Sequence, residues 1–219
     1  MKKVLVVAAH PDDEVLGVGG TIARHIAQKD EVYVVIMAQG AMSRGGKNAR
    51  KELKALYNQA HKAVEMLGVT QLTLEDLPDQ QLDTIPKLDL YNKVAKHIKR
   101  VKPSIVYTHN DQDLNWDHRL VSEATMWACR PSHSEVKEIY LWETPSSTEW
   151  SPQSFVPQYY VDITNQLEKK VQALLCYKDE VRDYPHPRSP EGITTVAKYR
   201  GMTPGVYAAE AFKVFRVLR

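Results

Sequence analysis

Short apolar runs rich in β-branched residues alternate along this chain with longer stretches of helical periodicity, and no other feature restricts its fold as strongly. The expected strands are residues 3–9, 31–38, 70–74, 104–108, 138–142 and 159–163, with a closing segment around 209–217. The expected helices are 20–29, 48–67, 86–100, 117–129, 165–177 and 190–199, and the run Gly17-Val18-Gly19-Gly20 leads into the first of them. The second helix is the clearest: Leu53, Leu56, Tyr57, Ala60, Ala63, Val64 and Leu67 share one face, and Gly68 follows as a C-terminal cap. Residues 143–157 gather Pro and Ser and read as an irregular crossover. Strand–helix alternation of this kind builds a mostly parallel α/β sheet with helices on both faces. A chain of 219 residues fits one domain, 1–219, with a core large enough to need no staples.

Composition excludes several function classes. Basic and acidic residues nearly cancel, 29 against 27, which gives no support for nonspecific nucleic-acid binding. No stretch of about 18 apolar residues exists, so no membrane span is expected. The apolar run at 4–9, after Lys2 and Lys3, is shorter than the roughly 7–15 residues of a signal peptide and ends in charge. Two cysteines, Cys129 and Cys176, make neither a disulfide framework nor a thiolate metal site, and point to a reducing, cytoplasmic setting. With eight histidines present, any metal site is expected to use imidazole and carboxylate.

In parallel α/β sheets, function collects outside the carboxyl ends of the strands. Three junctions lie there: 10–14, 39–44 and 109–118. The first reads His10-Pro11-Asp12-Asp13-Glu14. His10 and Asp13 suit one metal ion, with Asp12 free to take a proton from water. Asp12 and Asp13 equally suit the N-terminus of the next helix, where negative charge is favoured. A dinucleotide site does not fit, because the glycines come too late and miss the required spacing. The junction 109–118 holds two histidines and three aspartates in ten residues. His118 is the candidate third ligand. Asp117 is a candidate either to orient a ligand histidine or to cap a helix. His25, His61, His97 and His133 read as surface or structural residues.

Ala9-His10-Pro11-Asp12-Asp13-Glu14 with Asp117-His118-Arg119 downstream resembles the PIG-L/LmbE family of zinc-dependent N-deacetylases. Gly40, Arg44, Arg50-Lys51-Glu52, Leu77-Pro78-Asp79 and Tyr207-Ala208-Ala209-Glu210-Ala211-Phe212 extend the likeness over most of the chain. The resemblance implies a Rossmann-like three-layer α/β/α fold. It implies zinc on His10, Asp13 and His118, Asp12 as general base, and Arg50, Asp79 and Arg44 as contacts to an N-acetylated sugar or sugar conjugate. Iron, cobalt and manganese also fit such a ligand set, and family members often form homo-oligomers. One departure stands out. The family's second motif often begins with a histidine, held to stabilise the oxyanion or protonate the leaving group, where this chain has Asn115. His186, between Pro185 and Pro187, is the expected substitute; His109 and Asn115 itself are the others. Trp116, Trp142, Trp150, Tyr159 and Tyr160 are candidate linings of a sugar pocket. An amidase acting on another sugar-conjugate amide and a non-catalytic sugar-binding module are the alternative readings.

Overall fold

The computed structural model describes residues 1–41 and 49–218. Seven strands form one sheet in the order β3-β2-β1-β4-β5-β7-β6. They are β1 (Lys3–Ala8), β2 (Glu31–Ala38), β3 (Gln71–Leu77), β4 (Ile105–His109), β5 (Glu138–Trp142), β6 (Tyr159–Asp162) and β7 (Ala209–Val217). The first five pair in parallel, and β7 runs antiparallel between β5 and β6. Among the described residues, six α-helices connect them: α1 (Asp13–Ala27), α2 (Ala49–Leu67), α3 (Lys87–Val101), α4 (Trp116–Ala128), α5 (Leu167–Leu175) and α6 (Pro190–Met202). This is the mostly parallel three-layer α/β/α arrangement expected from the alternation.

The pleat of β1 divides the core. Val4, Val6 and Ala8 join one hydrophobic cluster with residues of α1, α2, α5 and α6. Leu5, Val7 and Ala9 join a second cluster with residues of α3 and α4. Both faces of the strand are therefore dry, which is why it reads as an unbroken apolar run rather than an alternating one. The chain goes from β1 outward to β2 and β3, then returns to β4 on the other side of β1. That reversal opens a crevice beyond the carboxyl ends of β1 and β4, where ligands bind in sheets of this type.

The first helix departs from expectation. It starts at Asp13, seven residues before the predicted start at residue 20, and takes the glycine run inside it. A Cβ on Gly17 would lie 2.1 Å from Trp142 Cδ1, and one on Gly20 would lie 2.7 Å from Ile163 Cδ1. Those glycines let α1 approach the sheet closely; they are packing residues, not a linker. A buried ion pair also enters this helix. Lys170 Nζ donates to the Leu16 carbonyl at 2.8 Å and to Glu210 Oε1 at 2.6 Å. Glu210 in turn accepts the backbone N–H groups of Gly20 (2.8 Å) and Thr21 (2.7 Å). Leu16 and Gly20 of α1 are thus tied by these side chains to α5 and β7. Elsewhere, Gly68 ends α2 as expected, with a left-handed φ of 88°, and β3 runs on to Leu77 rather than stopping at residue 74.

Candidate functional site

The turn from β1 into α1 carries the first three candidates. Asp12 has φ 111°, which costs a non-glycine residue about 1–3 kcal/mol and is seen where function demands it. Its backbone carbonyl receives Val15 and Leu16 N–H, so it sits at the N-cap position of α1, yet its side chain makes no capping bond. The Asp12 carboxylate instead meets Arg188 Nη1 at 3.0 Å. Asp13 does not cap the helix either: its Oδ2 accepts the His10 N–H at 2.8 Å. The capping alternative therefore explains neither carboxylate. Asp12 is kept in place through its N–H, which donates to Glu14 Oε2 at 3.1 Å, while the Tyr177 hydroxyl donates to Glu14 Oε1.

Around Asp13 the predicted ligands converge. His10 Nδ1 lies 3.4 Å and His118 Nε2 3.3 Å from Asp13 Oδ2. One ligand atom from each of His10, Asp13 and His118 lies within 4.8 Å of the others, and all three residues are buried. The remaining ring nitrogens face carboxylates. His10 Nε2 meets Asp117 Oδ2 at 3.0 Å, and His118 Nδ1 meets Asp113 Oδ1 at 3.1 Å. A carboxylate only accepts, so these contacts fix a proton on each of those nitrogens and leave His10 Nδ1 and His118 Nε2 as the nitrogens that face Asp13. The carboxylates are anchored themselves. Asp117 accepts N–H from Gln80 (2.8 Å) and Leu82 (3.1 Å), and Asp113 accepts Asn115 N–H (2.9 Å) and the hydroxyls of Ser147 and Thr148. Two oriented imidazoles and one carboxylate make a donor set that fits a divalent transition metal. A second group, His10, Asp79 and Asp117, shares His10. There Asp117 is spent on two backbone N–H groups, so it acts as the orienting partner of His10.

Electrostatics follow from burial and pairing. Burial alone would lower the His10 and His118 pKa values, but the hydrogen-bonded Asp117 and Asp13, and Asp13 with Asp113, raise them to about 10 and about 9. Burial would raise Asp13, but the charge of His118 and the hydrogen bonds of His10 and His118 hold it well below the usual carboxylate range. Asp12 goes the other way: burial, with Asp13, Glu180 and Glu14 nearby, outweighs the Arg188 guanidinium and holds its pKa well above the usual value. Glu14 is pushed up to about 7 by burial, against the Tyr177 hydrogen bond.

The other expected residues are distributed as follows. Asp79 is buried, with Oδ1 3.5 Å from His10 Nε2. Arg50 is exposed in the first turn of α2, next to Lys51 and Glu52, which line a cleft of about 380 Å³ with Ala41, Asp179 and Glu180. Arg44 lies outside the described residues. Asn115 is the N-cap of α4; its Oδ1 accepts Asp117 N–H at 2.9 Å and its Nδ2 donates to Gln80 Oε1 at 3.3 Å. The cap of this helix is thus Asn115 and not Asp117. His109 is buried with both nitrogens engaged: Nε2 accepts Ala9 N–H at 2.9 Å, so Nδ1 carries the proton toward Thr144 Oγ1 at 3.1 Å. Burial and the charge of His118 hold it neutral, well below the usual imidazole value. His186 accepts Arg188 N–H on Nδ1 at 3.1 Å and meets Trp150 edge-on at 6.2 Å. Trp142 is in the core against His109 and Tyr159 stacks on Tyr140, while Trp116 is exposed under Arg119. Sequence reasoning did not single out Arg188, Asp113, Gln80 or Tyr177. Arg188 stands two positions after the chosen histidine, in the same proline-bracketed segment.

In this mostly parallel three-layer α/β protein, a buried two-histidine, one-aspartate cluster able to hold a metal lies at the switch point, beside a further carboxylate. The chain belongs to the PIG-L family, described as GlcNAc-PI de-N-acetylase, whose sequence pattern matches residues 5–129. It is 32% identical to an uncharacterized deacetylase, YaiS, of Escherichia coli K12, over 81% of this chain and 91% of that one. It is 31% identical to the 4-oxalmesaconate hydratase of Pseudomonas putida, over 92% of this chain and 80% of that protein. The fold matches N,N'-diacetylchitobiose deacetylase from Pyrococcus horikoshii with a TM-score of 0.82 at 22% identity, covering 98% of this chain and 84% of that one. Among the described residues, no helix is long and apolar enough to cross a membrane.

Proposed function

We propose that this protein is a zinc-dependent N-deacetylase that removes acetyl from an N-acetylglucosamine-type sugar or sugar conjugate. The observation that carries the reading is the Asp12 carboxylate. It is buried, freed from helix capping, and set in the same turn as His10 and Asp13. A metal-binding module has no use for a strained, buried carboxylate next to its ligands, whereas hydrolysis needs a base there. His10, Asp13 and His118 would hold the zinc, which when bound supplies Lewis acidity to water and to the acetyl carbonyl.

Asp12 then takes a proton from the attacking water and returns it to the leaving nitrogen. Burial holds its pKa above the usual carboxylate value, which makes it a stronger base than an exposed aspartate. Asp113 and Asp117 keep the ligand imidazoles in one tautomer. Asp79, beside His10, and Arg50, at the cleft, are the proposed sugar contacts. Asn115 and His186 remain candidates for hydrogen bonds to the reacting acetyl group. The test is acetate release from a panel of N-acetylated sugars and conjugates by zinc-loaded protein. Asp12→Asn should lose at least about a thousandfold in kcat while retaining zinc; near-full activity in that variant would remove the base role.

The likeness to a hydratase over nearly the whole chain favours a second reading, addition of water to an unsaturated carboxylate. The same base would serve either chemistry. Loss of the ultraviolet absorbance of 4-oxalmesaconate, with no acetate released from any N-acetyl sugar, would establish that reading instead.

A further inference from the structure

We propose that Arg188 is a catalytic residue of this chain: one arm of its guanidinium holds the base Asp12, and the other donates to the oxyanion formed at the reacting carbonyl. The proposal rests on the deacetylase reading and extends it. Arg188 is tied down on one side only. Its Nε donates to Ser146 Oγ at 2.6 Å, and its Nη1 donates to Asp12 Oδ2 at 3.0 Å and to Glu180 Oε2 at 3.3 Å. Among the described residues, Nη2 makes no hydrogen bond, and the side chain keeps 26% of its surface exposed while Asp12 and Glu180 keep 3% each. A guanidinium has five donors in a fixed plane. Fixing Nε and Nη1 therefore fixes Nη2 as well, with both of its protons available, on the group that touches the proposed base.

The loop that delivers Arg188 is built for that placement. His186 Nδ1 accepts the Arg188 N–H, and Ser189 caps α6 by accepting Gly192 N–H at 2.8 Å. His186 thus shapes the turn whose next side chain reaches the base. Two other candidate donors are engaged elsewhere: Asn115 Nδ2 donates to Gln80 Oε1 at 3.3 Å, and both nitrogens of His109 are bonded. In the reaction, the water oxygen bonds to the acetyl carbon as its proton passes to Asp12. The carbonyl electron pair moves onto oxygen, and the resulting anion receives the Nη2 protons as hydrogen bonds. Collapse breaks the C–N bond, and Asp12 returns its proton to nitrogen, giving acetic acid and the free amine. A donor that is preorganised and cationic is most effective at that developing charge.

The probe is methylphosphonate, a tetrahedral anion bearing a methyl group, titrated into zinc-loaded protein by calorimetry. Arg188→Met should weaken its binding about 100-fold with zinc content unchanged, the size expected for loss of one oxyanion donor. The same loss should appear when Asp12→Asn/Arg188→Met is compared with Asp12→Asn, because Nη2 acts without the base. On an N-acetyl sugar, kcat should fall about 100-fold or more with KM within about threefold, and Arg188→Lys should recover only part of it. Unchanged methylphosphonate affinity in Arg188→Met, or an effect that vanishes in the Asp12→Asn background, would overturn the proposal. Should Arg188→Met fail to fold, Ser146→Ala removes only the Nε anchor. A loss of about tenfold in methylphosphonate binding then supports the proposal, and no loss overturns it. A wild-type protein that binds methylphosphonate through Arg188 but releases no acetate would refute the deacetylase reading alone.

Discussion

The Tyr177 hydroxyl lies 2.5 Å from Glu14 Oε1, across 163 positions of sequence, and both groups are fully buried. Glu14 passes this restraint to Asp12, the proposed base, because its other oxygen receives the Asp12 N–H. Replacing Tyr177 with Phe leaves Glu14 Oε1 buried without its donor, at a cost of about 1–3 kcal/mol. Urea unfolding should show that loss. Full stability in Tyr177→Phe would mean that water or a neighbour satisfies Glu14 equally well.

In the proposed metal site, Asp113 would act on the metal through His118. With Asp113→Ala, His118 loses the acceptor that fixes its tautomer, and Ser147 and Thr148 lose a common partner. Zinc affinity should drop about 10–100-fold, the range for removing a carboxylate behind a ligand histidine. Competition with a fluorescent chelator measures it directly. Asp113→Asn should be milder, since an amide oxygen still accepts.

On the proposed ligand assignment, proton and metal would compete for His10 and His118. In metal-free protein their pKa values, about 10 and about 9, exceed the usual 6.5. Each protonated imidazole then contributes stability that is complete below pH 6.5 and fades as pH rises through 9 to 10. Metal binding must displace those protons. Zinc affinity should therefore tighten from pH 6 to pH 9, with protons released in calorimetry run in buffers of different ionisation enthalpy. Metal-free protein should melt lower at pH 10 than at pH 7, and the zinc-loaded form should show a flatter profile. Zinc binding without proton release would contradict the assignment of these ligands.

Gly17 and Gly19 should respond oppositely to alanine. A Cβ at Gly17 meets Trp142 at 2.1 Å, a clash with a ring locked in the core. The helix-propensity gain of about 1 kcal/mol is outweighed, and Gly17→Ala should lose about 3 kcal/mol through overpacking. At Gly19 the nearest atom is Lys170 Cγ at 3.4 Å, an ordinary contact, so Gly19→Ala should gain about 0.5–1 kcal/mol. Thermal unfolding of the pair decides it; equal effects would show that packing does not govern this helix.

Periodicity and strand-end logic placed most elements and singled out His10, Asp13 and His118, which the fold brings together, because each rests on a local signal. β1 was legible as an apolar run, and His10, Asp13 and His118 fall at strand ends where imidazole has few structural uses. What stayed hidden depends on long-range contact. The start of α1 was misplaced because glycine signals a turn locally, while here it accommodates Trp142 and Ile163 from distant segments. Arg188 went unread because its meaning lies in a bond to Asp12, 176 positions away. Trp142 drew notice as a possible sugar platform, and only its packing against α1 and His109 shows that it belongs to the core.

The Lys170–Glu210 pair joins distant parts of the sequence. Gly20 and Glu210 are 190 positions apart, yet Glu210 of β7 accepts two N–H groups of the helix that begins at Asp13. A chain cut short before residue 210 should therefore leave α1 without that anchor, and with it the segment that carries His10 and Asp13.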